Sequence, residues 1–196
     1  MKFNFCSVQE IVDGLFIGDL DASNSSKYIK QVNPGLVVRF RTPIDKEDTE
    51  SCICTTQSYI HRPKDARKMY SSRRINELVI DARDDPNFQL SKYFARIVHS
   101  IDLCLKKGRN VLVHCDAGIS RSATAIVAYL IHKSIILDKD PDWKSESIKS
   151  NVHLLESLVA SKRPIISVSV FEEQLYEYVQ AVLLKKYKPY RFMIHD

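Results

Sequence analysis

The chain has 196 residues, 44% of them hydrophobic, and a formal net charge of +5. That length fits one domain with a sizeable core, and the composition excludes a disordered chain. The positive balance is a mild bias toward anionic partners such as phosphorylated substrates, and it is too weak to argue for nucleic acid.

In chain order, Gly14-Leu15-Phe16-Ile17-Gly18 reads as a short strand between glycines, and a helix is predicted from about Ala22 to Gln31. Asn33-Pro34-Gly35 reads as a turn before the β-rich run Leu36–Phe40. Residues 42–74 are polar and read as a long irregular connection, with a basic run from Arg62 to Arg74. Leu78-Val79-Ile80 predicts another strand, placed beside the strand that leads to Cys115. Leu90, Phe94, Ile97, Val98, Ile101 and Leu105 recur at helical spacing, and Gly108 ends that helix.

Asn110–His114 is nearly all apolar, as expected of a buried parallel strand. Ala123–Ile131 is apolar all round and predicts a helix in the middle of the fold. Two amphipathic helices follow, one with Ile148, Val152, Leu155 and Val159, the other with Phe171, Leu175, Tyr178, Val179 and Val182. Alternating strands and helices predict an α/β fold, a central mostly parallel sheet flanked by helices.

The longest uninterrupted apolar run, Ala125–Ile131, is far shorter than the roughly 20 residues that cross a bilayer, so no membrane span is expected. The five cysteines show no framework spacing, and Met1–Phe5 lacks the apolar core of a secretory signal. Free thiols in the cytoplasm, or in the nucleus, are the expectation. Cys52-x-Cys54 with His61 lacks a second ligand pair at zinc spacing, so no metal is expected there. Cys104, on an apolar helix, reads as core packing rather than as a partner for an oxidised Cys115.

The informative stretch is His114-Cys115-Asp116-Ala117-Gly118-Ile119-Ser120-Arg121-Ser122. A strand, a short loop and a helix N-terminus make a site for an anion, because the first N–H groups of the helix are unpaired and carry partial positive charge. Asp116, Ala117, Gly118, Ile119 and Ser120 can turn their N–H groups around one phosphoryl group, and Gly118 supplies the backbone freedom such a cradle needs. The planar fork of Arg121 can hold two phosphate oxygens. Cys115 sits at the mouth, where the same dipoles favour thiolate over thiol and set it against phosphorus. Ser122 is placed to hydrogen-bond the sulfur, and His114 to brace the loop. A leaving alkoxide or phenoxide needs a proton, which Asp81, Asp84 or Asp85 can give. The residues alone do not choose among the three.

His114-Cys115, Gly118 and Arg121-Ser122 resemble the His-Cys-x-x-Gly-x-x-Arg-Ser signature of the protein tyrosine phosphatases, and Val111–Thr124 is similar to the dual-specificity branch. The resemblance covers roughly residues 8–184, with longer stretches than usual at 42–74 and 137–147 and a basic tail at 185–196. Ser167-Val168-Ser169-Val170 departs from the family pattern. The resemblance implies the family's fold, and Asp84 as general acid, since it lies 31 residues before Cys115 and precedes a similar segment, Phe88–Phe94. It also implies hydrolysis of phosphotyrosine and phosphoserine or phosphothreonine in proteins through a phosphocysteine, with no cofactor and a phosphorylated protein as partner. No oligomeric state is implied. Lipid-directed relatives place lysines inside the loop, and the RNA-directed branch has Asn before the Arg and Thr after it. Asp116, Ala117, Ile119, Ser120 and Ser122 match neither. A catalytically dead phosphoprotein-binding module is the remaining alternative, against which Cys115, Arg121 and Asp84 all stand.

Overall fold

The computed structural model describes residues 7–43, 63–140, 142–163 and 169–184. Five strands make one sheet: β1 (Val8–Val12), β2 (Leu15–Gly18), β3 (Pro34–Arg41), β4 (Asn76–Asp81) and β5 (Asn110–His114), in the order β1-β2-β5-β3-β4. Only β1 and β2 run antiparallel; β2, β5, β3 and β4 are parallel neighbours. The predicted mostly parallel sheet flanked by helices is what the chain adopts.

The central position of β5 explains its unbroken apolar run. Val111 and Val113 face one layer, while Leu112 faces the other, paired in register with Val37 of β3. At the sheet edge, β4 alternates instead: Leu78 and Ile80 are buried, and Val79 is exposed.

Helices α1 (Leu20–Asn24), α2 (Ser26–Val32) and α3 (Lys64–Ser72) accompany the Leu112 face, where Ile29, Val32 and Tyr70 close a small core. The larger core lies under α4 (Ser91–Lys106), α5 (Arg121–His132), α6 (Ile148–Lys162) and α7 (Glu172–Leu183). Helix α5 is buried from Arg121 to Ile131. Its β-branched Ile126, Val127 and Ile131 each cost under roughly 0.7 kcal/mol in helix propensity, against roughly 1.5–3 kcal/mol for burying such a side chain. Packing decides, and the helix stands where propensity alone would not place it. A π-turn, Lys133–Leu137, extends it, closed by Asp138 N–H donating to the Lys133 carbonyl.

Several expectations need correction. The helix expected from Ala22 to Gln31 is two helices, because Asp19 caps the first through Ala22 N–H at 2.7 Å and Ser25 is extended between them. Asn33 alone makes the turn, at φ +47°, and Pro34 already opens β3. Residues 42–74 are not all irregular: α3 forms there, anchored by Ala66 and by Tyr70, whose hydroxyl donates to the Ser23 carbonyl at 3.0 Å. The strand before Asp84 is not beside the Cys115 strand; β3 separates them. Strand β1 was not anticipated. Within the 137–147 stretch Trp143 is buried and donates to Ser134 Oγ at 2.8 Å. Cys52, Cys54, His61, Ser167, Val168 and the 185–196 tail lie outside the described residues.

Candidate active site

The parallel strands β5, β3 and β4 all end on one side of the sheet, and residues from the chain after each meet there. That is where parallel α/β sheets gather functional groups, because the strand ends leave a crevice between connections.

After β5, Cys115 is only 1% exposed. Its Sγ accepts from Gly118 N–H at 3.2 Å and lies 3.3 Å from Ser122 Oγ. The loop therefore curls back on the sulfur before α5 begins at Arg121. Gly118 makes this possible at φ +71°, and a Cβ there would come within 2.3 Å of the Gly18 carbonyl oxygen. His114 is fully buried, with Nδ1 3.2 Å from the Cys115 carbonyl oxygen, a contact internal to the loop base.

Arg121 is 3% exposed. Its Nη1 donates to the Ala82 carbonyl at 2.8 Å and to Thr42 Oγ1 at 2.9 Å. Its Nη2 donates to Asp116 Oδ2 at 2.6 Å, and Thr42 Oγ1 donates to the same oxygen at 3.0 Å. Among the described residues, Nε is buried without a hydrogen-bond partner. Ala117 and Ile119 line the rim, half-buried.

The three aspartates sort by contact. Asp84 Oδ1 accepts from Ser120 Oγ at 2.6 Å, and Oδ2 stands 3.8 Å from Arg121 Nε. Asp85 instead closes its own turn, accepting from Asn87 N–H at 2.8 Å and Asn87 Nδ2 at 3.0 Å. Asp81 takes two hydrogen bonds from Arg41, at 2.5 and 2.8 Å, which hold its carboxyl below the usual range. It ends β4 as the ion-pair partner of Arg41. Only Asp84 joins the loop.

A second arginine supports the loop from behind. Arg163, at the end of α6, is 3% exposed and donates to the carbonyls of Gly118 at 2.7 Å and Ala117 at 3.0 Å. It also reaches Gln9 Oε1 at 2.5 Å and pairs with buried Asp19 at 3.4 Å. Burial pushes the Asp19 carboxyl up, against the opposing pull of Ala22 and Ser7 N–H and of Arg163. Sequence reading assigned no role to Thr42, Asp19 or Arg163. The usable signal for Thr42 was its place just past the end of a parallel strand. For Asp19 and Arg163 there was none, because they meet across 144 residues of chain.

Cys104 sits half-buried at the other end of β5, its Sγ near the carbonyls of Arg109 and Asn110. Five extended residues, roughly 16 Å, separate Asn110 from Cys115, so no disulfide joins the two cysteines in this fold. A separate cluster, His153, Glu156 and Glu172, brings three ligand-type atoms within 4.8 Å of one another on α6 and α7. Lys149, over the Tyr176 ring, already supplies a cation at that cluster. No helix among the described residues is long and apolar enough to cross a membrane.

A family model described as the catalytic domain of dual specificity phosphatases matches residues 52–181. Dual specificity protein phosphatase 15 of Rattus norvegicus is 36% identical over 105 residues, which is 53% of this chain and 39% of that protein. MAP kinase phosphatase with leucine-rich repeats protein 3 of Dictyostelium discoideum is 30% identical over 170 residues, 86% of this chain and 16% of that protein. The chain thus spans between 16% and 54% of the length of these and similar curated relatives. Among solved structures, the Yvh1 phosphatase domain from Chaetomium thermophilum superposes with a TM-score of 0.67 at 24% identity, over 90% of this chain and 98% of that one. The human tyrosine phosphatase-like serine/threonine/tyrosine-interacting protein gives 0.64 at 24% identity, over 90% and 97%. At these identities the structural likeness speaks for the fold.

Proposed function

The chain belongs to the family of dual specificity phosphatase catalytic domains, and from that premise we propose that it hydrolyses phosphotyrosine and phosphoserine or phosphothreonine in proteins through a phosphocysteine. The observation that carries the proposal is that Gly118 N–H and Ser122 Oγ meet Cys115 Sγ in the loop that opens the helix beginning at Arg121, with Asp84 beside Ser120 and Arg121 of the same loop.

In the first step the Cys115 thiolate attacks phosphorus. The S–P bond forms, the ester P–O bond breaks, and Asp84 gives its proton to the leaving oxygen. The loop N–H groups and Arg121 stabilise the equatorial oxygens as charge gathers on them. In the second step water attacks the phosphocysteine, Asp84 takes up a proton, and the S–P bond breaks. Ser122 Oγ is near enough to the sulfur to donate to the departing thiolate. Phosphate leaves, and thiolate and acid are restored.

Protein substrates are favoured over lipid phosphates by the loop itself, which adds no cation at Asp116, Ala117, Ile119 or Ser120. The test is hydrolysis of para-nitrophenyl phosphate and of phosphopeptides by the wild type and by Cys115→Ser. Activity is expected in the first and loss of at least about a thousandfold in the second. Hydrolysis that survives the substitution overturns the reading.

A further inference from the structure

The side of the guanidinium that carries Nε and Nη2 presents two parallel N–H bonds, the edge suited to gripping two oxygens of a phosphoryl group. In Arg121 that edge is half taken by hydrogen bonding. Nη2 donates to the Asp116 carboxylate at 2.6 Å, while Nε is buried and, among the described residues, without a hydrogen-bond partner, with Asp84 Oδ2 3.8 Å away. Thr42 closes the arrangement by accepting from Nη1 and donating to the same Asp116 oxygen.

Two accounts of Asp116 are open to test. As a brace, it would hold Arg121 in the orientation that binds phosphate. Yet Arg121 is already fixed without it: Nη1 is held by the Ala82 carbonyl and Thr42, and the side chain is only 3% exposed. As a competitor, Asp116 occupies the donor a phosphate oxygen needs and puts negative charge beside the incoming dianion. Its side chain is 31% exposed, so it has room to turn toward solvent when displaced.

We propose that Asp116 is an internal anion that competes with the substrate's phosphoryl group for Arg121, making it a specificity-determining residue of the loop. This rests on the phosphatase reading above and deepens it. A phosphoryl group must displace the carboxylate from Nη2 or bind beside it, and a second anionic group close to that phosphate adds to the repulsion. The site therefore binds bare oxyanions weakly and disfavours phosphates with further negative charge next to them.

Tungstate, a tetrahedral oxyanion that is not hydrolysed, reads this directly. Its affinity is measured by calorimetry on the wild-type chain and on Asp116→Asn, which keeps the shape and removes the charge, with Asp116→Ser as a second variant. The thermal transition of each shows whether it is folded. The competitor account expects tungstate to bind either folded variant about tenfold more tightly, the equivalent of about 1.4 kcal/mol. The brace account expects the opposite sign. Unchanged or weaker binding in the folded variants overturns the proposal. Because no turnover is involved, the result stands apart from the hydrolysis assay: tighter tungstate binding by variants of a chain without phosphatase activity would uphold Asp116 as a competitor for oxyanions at Arg121 while removing the hydrolytic reading and with it the role in substrate choice.

Discussion

The Ser120 hydroxyl donates to Asp84 Oδ1 over 2.6 Å, tying the carboxylate that follows β4 to the loop that follows β5. The two residues come from connections whose strands are not neighbours, since β3 lies between. Ser120 is 7% exposed and directly precedes α5, its carbonyl accepting from Thr124 N–H, while the Asp84 side chain is 41% exposed. The hydrogen bond therefore positions a solvent-facing carboxylate from a fixed point.

Removing the carboxylate and removing its anchor should differ in size. Asp84→Ala is expected to lower kcat by roughly 100- to 10,000-fold, the usual contribution of a positioned proton donor. Ser120→Ala leaves the carboxylate in place but less ordered, and should lower kcat by about 3- to 10-fold. Steady-state kinetics on para-nitrophenyl phosphate check both. Equal losses would assign Ser120 more than positioning, and an unaltered kcat in Asp84→Ala would pass the acid role to Asp85.

Gly118→Ala should be costly. The added methyl meets a main-chain oxygen at 2.3 Å, at a φ of +71° that L-residues resist. Together these predict a loss of more than about 1 kcal/mol. They also predict weaker oxyanion binding, because the loop must open to relieve the contact. Denaturant unfolding and tungstate titration report the two effects, and a wild-type midpoint in the variant would contradict the geometry.

Arg163→Ala removes the donor to two loop carbonyls and leaves Asp19 buried without its cation. Breaking a buried pair from one side costs about 3–5 kcal/mol. Since burial already raises the Asp19 carboxyl, the variant should regain stability as the pH falls and Asp19 is protonated. The expected signature is a stability deficit against wild type that narrows in acid. A deficit that does not change with pH would exclude Asp19 as its source.

Glu172 gives the opposite pH sense. Hydrogen bonds from Tyr176 and then His153 hold its carboxyl below the ordinary value of 4.5. Its contribution is therefore present above pH 4.5 and lost as the pH falls through the lowered folded value. Glu172→Gln should lower stability at neutral pH by under about 1 kcal/mol, given its partial exposure. The difference from wild type should fade in acid. Thermal unfolding from pH 7 to pH 3 follows it.

Much of this was open to reading in advance, and the reasons are local. Strand β5 is legible because both its faces are buried, which leaves an unbroken apolar run. The Cys115–Ser122 loop is legible because an anion cradle needs its glycine, arginine and nucleophile at fixed short spacings on one strand–helix connection. Helix α3 escaped because only Ala66 and Tyr70 of it are buried, too few to give a periodic signal. Strand β1 escaped because its single buried residue, Ile11, leaves no alternation to see.

The amino-acid order alone thus determined the α/β class, a loop with the makings of an anion cradle and the three aspartates near which a proton donor was to be sought. Chemistry that depends on neighbours along the chain is written there. The tertiary structure decided which aspartate meets the loop, what supports the loop from behind, and what already holds Arg121. Each of those is a contact between residues far apart in sequence, and such contacts arise only from the order in which the strands pair and the way the helices pack on them.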